Sequence, residues 1–265
     1  RGVNFDGSSF GKADYEEVTG NILSFWESFK AECPDIPIYC RGTNMGVGVD
    51  VSTDFIPLKT LYDRGYFELS TPNSPWAALD FDFGLEWTGY MSRVSELTGK
   101  NFLFRFYPND PWYWQNPWWD TMNREPFDIY WPLSIGRLNA AGQIENPSSV
   151  AILSVDTEFG DLVEDCPMEV IPHIRRAAAE FPDEPGLLTW LYPFTEYHET
   201  AKQDPANVGH LFFEDWYVRN AVNYGLPLNT VVSTSYWESA LQSDPSLAGK
   251  TIFLMPASLL ETGIE

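Results

Sequence analysis

The sequence predicts an α/β fold in which a partial (β/α)8 barrel is followed by an incomplete flavodoxin-like α/β unit. Three observations carry this. Apolar strands and amphipathic helices alternate at regular intervals, with loops that lengthen after each strand, as parallel sheets with right-handed crossovers require. The stretch from Gly2 to Trp119 holds four such strands and three helices, about half of what a complete barrel of about 250 residues contains. Further on, a helix, Gly225-Leu-Pro227, a strand, a short excursion and "LAGKTIFLMPASLL" follow one another as at the opening of a doubly wound sheet.

In chain order, Gly2-Val-Asn-Phe-Asp6 reads as a short strand. Tyr15, Val18, Ile22, Phe25, Trp26 and Phe29 recur at helical spacing, with Asp14 as cap and Pro34 as stop. Ile36 to Cys40 is a strand that empties into the glycine loop Arg41-Gly-Thr-Asn-Met-Gly-Val-Gly48. Asp54 to Arg64 predicts a short helix broken by Gly65, and Tyr66 to Thr71 the next strand. Gly84 to Leu97 is helical with Gly99 as its C-cap, and Phe102 to Tyr107 is a buried strand. A turn at Asn139 to Gly142 and a polar joint at Glu145 to Ser149 place a domain boundary near Pro147, giving units 1–147 and 148–265. Val150 to Val155 then opens the second unit. Met168 to Phe181 and Leu211 to Asn223 read as helices, and Gly186 to Tyr192, Leu228 to Ser233 and Lys250 to Pro256 as strands.

Composition narrows the function. The formal charge is -22, from 38 acidic against 16 basic residues, and the acid is spread along the chain. This argues against nucleic acid and anionic membranes as partners, since both need a basic face. No stretch approaches the roughly 18 uninterrupted apolar residues of a spanning helix. Cys33, Cys40 and Cys166 are odd in number and widely spaced, so neither a disulfide framework nor a zinc site is suggested. His173, His198 and His210 form no spaced metal motif, and no phosphate-binding or dinucleotide loop follows a strand. No metal or cofactor is expected. The compartment stays open, with a secreted or periplasmic setting favoured over the cytoplasm.

The stretch after Tyr107 is the strongest functional signal. Four of the eleven tryptophans, Trp112, Trp114, Trp118 and Trp119, fall within a proline-rich loop beside Asp110, Gln115 and Asn116. Flat aromatic surface next to polar side chains suits a sugar, whose axial hydrogens stack on rings while its hydroxyls need partners. The same residues also suit a loop folded onto the core. Arg41, Asn44 and Arg105 stand at other strand ends, where parallel α/β folds bind ligands; the two arginines fit an anionic glycan and equally fit ion pairing in an acidic protein.

The segment "DIYWPLSIGRLNAAGQIENPSSVAIL" from Asp128 and the region "FFEDWYVRNAVNYGLPLNTVV" from Phe212, continuing to "LAGKTIFLMPASLL", resemble the large retaining (β/α)8 glycoside hydrolase clan, in particular family 42 β-galactosidases and agarase-like enzymes. The resemblance implies the C-terminal half of a barrel followed by an amidotransferase-like, trimerisation-type domain. It also implies a retaining mechanism on a galactan-type or β-galactoside polysaccharide, with two carboxylates about 5 to 5.5 Å apart. Under it, Glu68 is the matching nucleophile, although it stands mid-segment, and no Asn-Glu acid/base pair occurs in the chain. Asp156-Thr-Glu158-Phe-Gly160 resembles the acid/base loop, with Asp and Thr where the family has Asn; a solvated or domain-joint turn accounts for it as well. Candidate catalytic residues are thus Glu68 and Glu158. The alternative function is a non-catalytic carbohydrate-binding or structural subunit. The expected partner is an oligosaccharide or polysaccharide, with a homo-oligomer or a second chain completing the barrel.

Overall fold

Spacing alone explains the first helix. In α1 (Tyr15–Glu32), apolar side chains three and four residues apart share one face. Glu16 and Glu17 in the first turn and Lys30 in the last oppose the poles of the helix dipole. The Cys33 N–H closes onto the Phe29 carbonyl at 2.8 Å, and Pro34, which has no N–H to donate, ends the helix. Trp26 fastens α1 to the core through an edge-on contact with Phe67, ring centroids 4.6 Å apart.

The structure is a computed structural model that describes residues 15–40, 58–72, 83–96, 102–106, 130, 133–152, 165–203 and 216–257. After α1 come β1 (Tyr39–Cys40), α2 (Leu58–Asp63), β2 (Glu68–Pro72), α3 (Phe83–Val94) and β3 (Phe102–Phe106). Next are β4 (Gly136–Leu138), β5 (Ile144–Glu145), β6 (Ser149–Ile152), α4 (Asp165–Ala179) and β7 (Leu188–Tyr192). The described chain closes with α5 (Phe194–Gln203), α6 (Trp216–Asn223), β8 (Thr230–Ser233), α7 (Thr234–Ser243) and β9 (Ile252–Leu254). The chain is therefore mixed α/β. Among the described residues no helix is long and apolar enough to cross a membrane.

Two sheets organise these elements. One has the order β1-β2-β3-β6 and is parallel throughout; α2 and α3 lie in the crossovers that parallel neighbours require. The other is five-stranded and mostly parallel, in the order β5-β4-β8-β7-β9, with β4 and β5 as its one antiparallel pair. The expected turn at Asn139 makes that hairpin. Its side-chain oxygen accepts from the N–H groups of Ala141 and Gln143, each at 3.0 Å, and Gly142 supplies φ 77°.

The strand expected to open a second unit joins the first sheet instead. Ser148 donates from both its N–H (3.0 Å) and its hydroxyl (3.3 Å) to the Phe102 carbonyl, which sets the register Phe104↔Val150 and Phe106↔Ile152. Conversely β4, which precedes Pro147, belongs to the five-stranded sheet, entered by the Gly136 N–H donating to the Asn229 carbonyl at 2.9 Å. The two sheets interleave along the chain across residue 147. Two helices, α5 and α7, form where the sequence reading names none. For α7 the cause is local: Ser233 sits in extended backbone and its side chain accepts from the Tyr236 N–H, an N-cap.

One core spans both sheets. Leu61, Trp87, Tyr90, Met91 and Phe102 pack with Trp190, Tyr192, Val218, Val222 and Val231. On the other face of the five-stranded sheet, Leu191 and Val232 pack with Leu138, Trp237, Ala240 and Leu247. Alternate residues of β7 and β8 thus serve opposite faces, and α6 and α7 cover one face each.

The crossing of α3 over α6 depends on Gly84. Its N–H donates to Asn223 Oδ1 at 2.6 Å, and a Cβ there would stand 2.2 Å from the Arg219 carbonyl oxygen. Gly84→Ala is expected to destabilise the fold by about 1–3 kcal/mol through overpacking. Gly20, inside α1 with nothing among the described residues within 4 Å of an added Cβ, gives the opposite sign: Gly20→Ala gains roughly 0.5–1 kcal/mol of helix propensity. Urea unfolding of the two variants checks both signs.

Candidate functional site

Because β1, β2, β3 and β6 are parallel, their C-terminal ends lie along one rim, and these are the ends where open α/β sheets bind ligands. That rim is formed by Cys40, Pro72, Phe106 and Ile152. Arg41 directly follows Cys40, and Asn44 comes three residues later. Arg105 is the penultimate residue of β3, level with Pro72 on one side and Ala151 on the other. Asp110, Trp112, Trp114, Trp118 and Trp119 follow β3, and Glu158 follows β6. Arg41, Asn44, Asp110, the four tryptophans and Glu158 themselves lie outside the described residues. Glu68 does not share this rim: it opens β2, level with Tyr39 at the start of β1. The topology thus sets the four strand ends and Arg105 on one side and Glu68 on the other.

Tyr130 and His173 join the segment before β4 to α4. The phenol oxygen lies 3.1 Å from His173 Nδ1, and the rings meet edge-on with centroids 5.6 Å apart.

A second polar cluster sits at the C-terminal ends of β7 and β8. Glu196, in the first turn of α5, accepts from the Thr234 hydroxyl, whose oxygen lies 2.7 and 2.8 Å from the two carboxylate oxygens. Glu96, 5 % exposed, accepts from the Thr195 hydroxyl at 3.1 and 3.3 Å. The Tyr236 hydroxyl donates to the Glu96 backbone carbonyl at 3.2 Å. Each hydroxyl spends its one proton inside the cluster, which ties the ends of α3, α5 and α7 together. Glu196 is also favoured by the positive end of the α5 dipole. Sequence reasoning missed these five residues. The available signal was a threonine within three positions of each of two strand ends, Thr195 after β7 and Thr234 after β8, beside a glutamate in the first case. Among the described residues, no three of His, Cys, Asp and Glu lie close enough to hold a metal ion.

Electrostatics here is set by burial. Desolvation raises the Tyr236 hydroxyl above the usual phenol value, Arg137 counters this, and Glu96, Asp63 and Glu145 add to it. Burial pushes Tyr90 well above that value, again countered by Arg137. A phenol whose folded pKa is raised contributes stability that is full below the unfolded value and is lost as pH climbs from there through the folded value. Stability is therefore expected to fall as pH rises beyond about 10, and Tyr236→Phe should make that alkaline loss shallower, as read by urea midpoints measured across the alkaline range. No protein-family model, curated protein or solved structure matches the chain.

Proposed function

We propose that this is a carbohydrate-active α/β protein that holds a galactan-type or β-galactoside glycan along the C-terminal rim of the four-stranded sheet. One observation carries the reading: Phe106 and Ile152 are register partners on parallel neighbours, so the tryptophan-rich run and the acidic turn Asp156 to Gly160 leave adjacent strands at the same end. A glycosidase needs rings to seat the sugar and a carboxylate to act on it, and the segments that carry these residue types start from neighbouring strand ends. Arg41 and Arg105 stand at the same strand ends and suit charged or hydroxyl-rich parts of the chain. In a retaining two-carboxylate mechanism Glu158 is the better candidate of the two sequence-derived carboxylates, since Glu68 begins its strand at the far end.

The finer fold reading belongs to the same proposal. The parallel order β1-β2-β3-β6, in which chain order and spatial order run the same way, supports a stretch of (β/α)8 wall. The order β8-β7-β9, with β7 earliest in the chain, is the 2-1-3 opening of a flavodoxin-like sheet. In this reading β4 and β6 carry the chain across between the two units.

Activity against agarose, carrageenan and β-galactosides tests the catalytic form. Glu158→Gln is expected to lose about 100-fold or more, the scale of a removed general acid or base, while Glu68→Gln keeps wild-type activity; the reverse pattern would overturn the assignment.

A second reading, a binding protein without turnover, is favoured by the position of Glu68, which takes the sequence-derived nucleophile away from the rim. Tryptophan emission during oligosaccharide titration separates the two. A binder changes its emission saturably and releases no product, an enzyme does both, and a purely structural subunit does neither.

A further inference from the structure

We draw no further inference here: the strongest candidate, the apolar groove on α1 lined by Val18, Asn21, Ile22, Phe25 and Trp26, carries nothing because nothing in the structure shows what covers it.

Discussion

A buried cation sits where the two sheets meet. Arg137, in β4 and 3 % exposed, donates from Nε to Glu145 at 2.6 Å and from an Nη to the Val94 carbonyl at 3.1 Å. Its guanidinium also lies over the Phe102 ring, 5.0 Å from the centroid. One side chain thereby links β4 to α3, β3 and β5. Burying a charge costs several kcal/mol even when it is well placed. A charge-assisted hydrogen bond returns about 1.5–3 kcal/mol and a desolvated cation–π contact about 2 kcal/mol. These roughly cancel, so Arg137 contributes geometry more than net stability. It holds the end of α3 against the β4–β5 hairpin, and this in turn places Glu96 under Thr195 and Tyr236.

The rest of the architecture follows from that junction. The core continues from α3 through Phe102 to Trp190 and Val231, so the sheets share one interior even though their strands interleave along the chain. At its far end α3 is pinned through Gly84 to Asn223 of α6. Three hydroxyls that the junction buries are answered locally: those of Thr88, Ser92 and Ser95 return to carbonyls three or four residues back.

Where structure is local, the sequence displays it. The spacing of α1 and its stop at Pro34, the Asn139 turn and the strands around Trp190, Val231 and Phe253 are legible because spacing, turn chemistry and apolar runs act within a few residues. The cap at Ser233 is equally local, yet the sequence reading passes over it and over the helix that follows. The pairing of Ser149–Ile152 is a different case. An apolar run suits any buried parallel strand, and only the contact of Ser148 with Phe102, 46 positions away, decides which sheet receives it. The Glu96–Thr195 contact spans 99 positions and leaves no periodic trace. Of the candidate site, the residue types were readable, whereas the grouping of strand ends on one rim, with Glu68 opposite, comes from topology.

The functional account rests on that rim. Parallel register sets the ends of β3 and β6 side by side, whereas the Glu96–Glu196 cluster spends its polar groups on holding helix ends. Amide hydrogen exchange with and without a galactan oligosaccharide distinguishes these two rims most directly. The account predicts that ligand slows exchange in segments 41–44, 107–119 and 153–160. Protection confined to 193–196 and 233–236, or none anywhere, would contradict it.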